Sequence, residues 1–283
     1  MPIKEIIEAR LSQHIVKISQ LQGGDINDVY DIQTPDNRYV VKLNDKYSFP
    51  KMFEKEANGL NKLAKNGAYT PQVIDLFDHE EDQFLVLAYI EPERPAGNFW
   101  KHFGQALSTL HNSKFQHFGL EEDNYIGSLC QINKYKDTWE AFFIENRIQP
   151  LVRMAFDQQL LDRRHLKYFD VFSAAFEMLV PKEKPSLIHG DLWSGNLLCG
   201  LGQTPVFIDP AIYYGHREMD IAMTAMFGGF DKTFLDFYND IMPLENGWEQ
   251  RLSLHNLYPT LVHLVLFGKS YLGGIERIIK KFG

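Results

Sequence analysis

Cysteine is scarce in this chain: Cys130 and Cys199 are the only two among 283 residues. Two thiols so far apart supply neither a disulfide framework nor the short spacing of a zinc site, so both are expected to be reduced and packed. Long apolar runs are missing too. No stretch of about 18 apolar residues occurs, so no helical membrane span is expected. The N-terminal MPIKEIIEARLSQHIVKI is charged throughout and lacks a signal-peptide core; it reads as an amphipathic helix. A basic surplus is absent as well. Lys and Arg total 29 against 37 Asp and Glu, a net charge of −8, which speaks against a general nucleic-acid binder while leaving room for a local cationic cleft. Neither internal repeats nor low-complexity segments are found. What is present is ordinary for a globular chain, 45% apolar and 23% charged, with enough length for a large core in one or two domains. A cytoplasmic protein with no membrane or nucleic-acid partner is expected, and its oligomeric state is left open.

The chain changes texture once. Its first ninety residues carry strand patterns around one helix. Val29–Ile32 and Tyr39–Leu43 flank the turn cluster Thr34-Pro35-Asp36-Asn37, a hairpin signal. A helix is expected from about Pro50 to Lys65, with Phe53, Leu60 and Leu63 on one stripe and Glu56 among them. A second strand pair follows, Val73–Phe77 and Phe84–Leu87. The proline- and glycine-containing segment Glu91–Asn98 then marks a linker. Beyond it the pattern is mainly helical, interrupted by a β-rich island from about Leu187 to Asp209. The expected class is α+β, with a small β-rich lobe (1–90), a larger helical lobe (91–283) and a cleft between them.

The chemistry concentrates in His189-Gly190-Asp191-Leu192-Trp193-Ser194-Gly195-Asn196. His-x-Asp followed by four residues and Asn is the spacing of phosphoryl-transfer enzymes, in which the Asp orients the attacking hydroxyl and accepts its proton while the Asn offers an amide oxygen to magnesium. Alone, the run could be a structural turn. A second feature supports it. Asn196–Cys199 and Pro205–Asp209 read as the strands of a hairpin, so Asn196 and Asp209 should stand at the same open end. Hard oxygen donors of this kind suit Mg²⁺.

Kinase chemistry also needs a cation on the nucleotide phosphates. Period-two alternation puts Lys42 on the face of Val40. Glu56, costly in an apolar stripe unless paired, is its natural partner. The loop carrying Gly23 and Gly24 could cover phosphates with its backbone amides, although no Walker-type Gly-Lys-Ser/Thr follows. Ala88, Tyr89 and Ile90 lead into the linker and would hinge the lobes against an adenine edge. His189 is read as a brace of the catalytic loop. Asp220 is read as structural, either capping a helix or holding that loop from beneath. Phe227-Gly228-Gly229-Phe230 reads as an aromatic helix end. Asp220 follows Asp209 by only eleven residues with no Ala-Pro-Glu between them, which favours a small-molecule acceptor over a protein.

These motifs, with Asp209-Pro210-Ala211, Tyr213-Tyr214-Gly215-His216-Arg217-Glu218 and Trp139-Glu140-Ala141-Phe142-Phe143, resemble the fructosamine kinase (ketosamine-3-kinase) family almost end to end. The Trp after His-Gly-Asp-Leu and the Phe-Gly-Gly-Phe run are the most specific points of likeness. The resemblance implies a bilobal protein-kinase-like fold, related to aminoglycoside phosphotransferases. It also implies ATP and Mg²⁺ as cofactors, and ketosamine adducts of small amines or proteins as acceptors. Phosphorylation of the sugar 3-hydroxyl makes such adducts labile and releases the amine. Carried over, Asp191 matches the proton acceptor, Lys42 the phosphate-binding lysine, Glu56 its partner, Asn196 and Asp209 the magnesium ligands, and Ala88 to Ile90 the hinge. Some relatives carry a cysteine in the phosphate-covering loop; this chain has none there. Acceptor contacts are expected near Trp193, His216 and Glu218, from their closeness to the motif in sequence. Two alternatives stay open: a kinase of an aminoglycoside, choline or another small amino or hydroxy compound, and a catalytically silent nucleotide-binding protein.

Overall fold

The computed structural model describes residues 2–21 and 26–282. Helix α1 (Ile3–Leu11) is shorter than the N-terminal amphipathic pattern suggested, because Ser12 turns left-handed at φ 52° and ends it. Ile15 to Ile18, read as helix from sequence, lead instead into strand β1 (Lys17–Gln20). Strands β2 (Asp28–Gln33) and β3 (Arg38–Asp45) form the expected hairpin, and α2 (Met52–Lys65) follows. Strands β4 (Val73–His79) and β5 (Asp82–Ala88) complete an antiparallel sheet of order β1-β2-β3-β5-β4.

Alternation divides the two faces of this sheet. Val41, Phe84 and Val86 point to one side and are buried against Ile6 and Ile7 of α1. Leu85 and Leu87 point to the other and pack on Met52, Phe53 and Leu60 of α2. Each such side chain contributes about 1.5–3 kcal/mol on full burial, so both helices are fastened by apolar area. Lys42 shares the α2 face, which aims its ammonium at the helix stripe holding Glu56.

After Ala88 the chain leaves the sheet. The remaining elements share one large core. They are α3 (Phe99–His111), hairpin β6 (Asn124–Ile126) and β7 (Leu129–Gln131), α4 (Trp139–Phe142), which runs through a π-helical stretch into α5 (Gln149–Asp157), and α6 (Arg163–Leu179). Next come β8 (Ser186–Ile188), hairpin β9 (Leu197–Gly200) and β10 (Thr204–Phe207), and β11 (Tyr213–Gly215), which pairs back on β8. Helices α7 (Glu218–Met226), α8 (Phe234–Ile241), α9 (Trp248–His255), α10 (Leu257–Phe267) and α11 (Leu272–Phe282) close the fold. Helix α3 lies directly on α8, where a side chain at Gly104 would stand 2.3 Å from the Phe234 carbonyl oxygen. Among the described residues no helix is long and apolar enough to cross a membrane. Both thiols are free, but only Cys199 is packed; Cys130 is exposed because alternation along β7 turns it outward while Gln131 points into the core.

Candidate active site

Asp191 sits in a loop that the fold grips from beneath. Strand β8 delivers His189 and Gly190 onto the buried carboxylate of Asp220, which accepts the His189 amide at 2.7 Å and the Gly190 amide at 2.9 Å. Asp220 is therefore no N-cap: it is the third residue of α7 and holds the loop. Burial would raise its pKa, but the hydrogen bonds from His111 and from the His189 amide keep it below the usual carboxylate range. His189 braces the same loop. Its Nδ1 accepts the Asp191 amide at 3.3 Å, so its Nε2 donates to the Ile208 carbonyl at 2.9 Å. Burial lowers its pKa and keeps the ring neutral. Gly190 has no substitute here, since its φ is 82° and a Cβ would lie 2.1 Å from the Ala211 carbonyl oxygen.

The β9–β10 hairpin pairs Leu197 with Phe207, and the Ile208 amide donates to the Asn196 carbonyl at 3.1 Å. Asn196 and Asp209 thus leave the same end of the hairpin. The Asn196 Nδ2 donates to the Asp191 carbonyl oxygen and to its Oδ2, both at 2.9 Å. That fixes the amide and leaves its Oδ1 as an open acceptor, while Asp191 keeps Oδ1 for a ligand. Asp209 holds φ at 52°, in the left-handed region that non-glycine residues adopt uncommonly. Its carboxylate accepts Lys42 Nζ at 2.6 Å, and the same ammonium donates to Glu56 at 2.7 Å. Burial would depress Lys42, but the two carboxylates more than reverse this and raise its pKa, so it stays charged.

Lys42, Glu56, Asp191, Trp193, Asn196 and Asp209 all line one cleft of about 360 Å³ between the sheet and the helical part. Asp191 is lifted to about 7, first by burial and then by the charge of Asp209, with the Asn196 hydrogen bond opposing. A carboxyl titrating near neutrality is what a base for a sugar hydroxyl requires. As a metal site the donor set fits: an amide oxygen freed by its own hydrogen bonds and a partly exposed carboxylate are hard oxygen ligands of the kind Mg²⁺ takes.

Other candidates fall elsewhere. Gly23 and Gly24 lie outside the described residues. Ala88, Tyr89 and Ile90 do not line this cleft. Ala88 pairs with Tyr39, three residues along the strand from Lys42 and its partner Leu85, roughly 10 Å away. The Tyr89 amide already donates to the Arg38 carbonyl. His216 and Glu218 are corrected by the structure: both are fully buried and contribute nothing to the cleft wall. Glu218 is bonded by Arg251 at 2.6 and 2.8 Å and by His255 at 3.1 Å. Burial pushes its carboxyl up, but these partners hold it at about 2. These bonds fasten α7 to α9, and the His216 ring stacks on His255 at 5.2 Å. The closeness of Glu218 to Asp191 in sequence misled because β11 carries the chain away from the cleft. Sequence reasoning also missed Lys55, Asn124 and Tyr125, which line the cleft. The Lys55 ammonium stands 5.3 Å over the Tyr125 ring, and only its adjacency to Glu56 hinted at this.

Comparison with known proteins agrees with this geometry. A sequence model described as fructosamine kinase matches residues 2–282. A probable ketoamine kinase of Enterococcus faecium is 37% identical over 94% of this chain and 95% of its own. The chloroplastic protein-ribulosamine 3-kinase of Arabidopsis thaliana is 33% identical over 99% and 87%. Among solved structures, one described as a fructosamine-3-kinase of Thermobifida fusca superposes with a TM-score of 0.88 at 30% identity, covering 99% of this chain and 97% of that one. A thermostable mutant of an aminoglycoside phosphotransferase, solved with ADP and hygromycin B, superposes with a TM-score of 0.68 over 99% and 98% at only 14% identity, a likeness of fold. The architecture is therefore the bilobal, kinase-like one, and with a match running from residue 2 to residue 282 the chain belongs to the fructosamine kinase family.

Proposed function

We propose that this chain is an ATP-dependent kinase of ketosamines that phosphorylates the 3-hydroxyl of the sugar moiety. One observation carries the reading: Asp191, Asn196, Asp209 and Lys42 converge on a single cleft in a chain whose whole length matches ketosamine kinases. Lys42, held by Glu56, neutralises charge on the nucleotide phosphates. Asn196 and Asp209 would hold Mg²⁺, which when bound supplies charge neutralisation to the phosphates. Asp191 accepts a hydrogen bond from the acceptor hydroxyl through its Oδ1. The hydroxyl oxygen forms a bond to the γ-phosphorus, the bond to the β-phosphate oxygen breaks, ADP leaves, and the hydroxyl proton passes to Asp191. Positioning and charge neutralisation lower the barrier. In this reading residues 1–90 bind nucleotide and 91–283 carry catalysis and the acceptor site, in a cytoplasmic protein. Ala88 to Ile90 meet adenine through backbone groups, and the Ile90 amide, which has no partner among the described residues, is free to do so.

The test is a coupled ADP-release assay across ketosamines, aminoglycosides and free sugars, with phosphorus NMR to locate the new ester. Turnover confined to ketosamines with a 3-phosphate product supports the reading. Preferential turnover of an aminoglycoside, or nucleotide binding with no turnover of any acceptor, overturns it.

A further inference from the structure

The Phe-Gly-Gly-Phe turn has no part in the chemistry above, yet it abuts the catalytic loop. Gly228 and Gly229 take φ values of 74° and 90°, and a Cβ on Gly229 would stand 2.6 Å from the Cβ of Ser194. The two phenylalanines part company there. Phe230 packs inward on Trp100, Phe103 and Phe234. Phe227 stays 46% exposed and meets Trp193 edge-on at 6.1 Å. From Phe227 the aromatic contacts continue outward, to His263 at 5.2 Å and from there to Phe267 at 5.4 Å and Tyr271 at 5.1 Å. Trp193 is 38% exposed and Phe267 50%. Contiguous exposed aromatics at the mouth of a site mark a binding surface rather than core packing.

This strip is continuous with the cleft. Trp193 lines the cleft beside Asp191. The end of α10 reaches the same rim, where the Cδ1 of Leu266 stands 3.0 Å from a Cβ built on Gly127, another cleft residue. In a ketosamine the amine nitrogen is separated from the C3 carbon only by C1 and C2. With the 3-hydroxyl at Asp191, the group on that nitrogen lies within reach of Trp193, which lines the same cleft and whose amide donates to the Asp191 carbonyl at 3.1 Å. The five rings bring no carboxylate, ammonium or guanidinium group. His263 donates Nδ1–H to the Pro259 carbonyl at 2.7 Å, which leaves Nε2 as a hydrogen-bond acceptor. Ring faces and one acceptor nitrogen suit a secondary ammonium followed by an extended or aromatic group.

We infer that Trp193, Phe227, His263, Phe267 and Tyr271 form the subsite for the amine-side substituent of the acceptor, and that this strip selects adducts of extended or aromatic amines over those of small ones. The inference rests on the function proposed above and names the substrate class within it. The test uses one sugar on three amines: methylamine, phenethylamine and the side chain of an Nα-blocked lysine. Steady-state constants are measured for the wild type, Phe267→Ala and Phe227→Ala. The wild type should prefer the two larger adducts in kcat/KM. Each variant should raise KM for them by about five- to thirtyfold, the range of losing one aromatic or cation–π contact, with the rise confined to those adducts and kcat little changed. A wild type with no preference, or variants that raise KM equally for all three, overturns the subsite. So does a concentration-dependent oligomer lost in Phe267→Ala alongside flat adduct preference, which would make the strip a contact between copies of the chain. If no ketosamine is turned over at all, the proposed function itself falls and takes the subsite with it.

Discussion

The carboxyl of Asp191 is poised near neutrality by burial and by the neighbouring Asp209. Its folded pKa, about 7, lies above its ordinary value of 3.8. Keeping it ionised therefore costs the fold stability as pH rises from about 4 to about 7, and the cost is constant above that. With Asp191 as the proposed base, Asp191→Asn should lower kcat by about a hundred- to ten-thousandfold, with the KM for ATP nearly unchanged. The same variant should melt higher than the wild type, with a gain that is larger at pH 8 than at pH 5; a gain independent of pH would mean the carboxyl is not perturbed. For the wild type, kcat/KM for nucleotide should fall about tenfold per pH unit below 7, read from initial rates across a buffer series. Lys42 makes a different kind of prediction. Lys42→Ala leaves Glu56 buried without its cation, which should cost about 3 kcal/mol in urea unfolding and raise the KM for ATP. Adding Glu56→Gln should restore most of the stability and none of the nucleotide use, which separates the fold's interest in the pair from the site's.

Among the elements, α7 decides whether the catalytic loop is rigid. Asp220 reaches up from it to two loop amides and is itself bonded by His111 at 3.2 Å, whose other nitrogen meets the Tyr238 hydroxyl at 2.8 Å. Helices α3, α7 and α8 thus converge on one carboxylate beneath the loop. Asp220→Asn turns an acceptor of both amides into a side chain that presents N–H to one of them. We expect a loss of about 2–4 kcal/mol in stability, and a kcat reduced by about ten- to a hundredfold with KM for ATP little moved. An equal loss in kcat and in ATP binding would show that Asp220 supports the cleft as a whole and not the loop.

For the whole molecule, the one ion pair in the cleft that bridges the two parts of the chain, among the described residues, is Lys42 to Asp209. It joins a strand of the sheet to the end of a hairpin in the helical part, and both partners are the groups proposed to meet the nucleotide and its metal. Binding of MgATP should therefore tie the two parts together through more than one contact. By mass action, ligand at about a hundred times its dissociation constant adds about 2.7 kcal/mol, a rise of several degrees in Tm by differential scanning fluorimetry. ATP with excess EDTA should give a clearly smaller rise. Equal shifts with and without the divalent ion would remove Asn196 and Asp209 from the proposed metal site.

Local pattern alone determined much of this protein. Period-two alternation put Lys42 and Val40 on one face, helical spacing put Glu56 into an apolar stripe, and hairpin symmetry brought Asn196 and Asp209 to one end, because these are short-range consequences of backbone geometry. The same short-range logic failed at Ile15–Ile18, where a left-handed Ser12 ended the helix early, and at His216 and Glu218, where nearness along the chain stood in for nearness in space. Only the tertiary structure decided that Asp220 holds the loop, that Glu218 is spent on Arg251 and His255, and that Lys55, Asn124, Tyr125 and the aromatic strip border the cleft. Those relations join residues thirty or more positions apart, and which distant side chains meet is set by how helices pack on a shared core, which no local periodicity encodes.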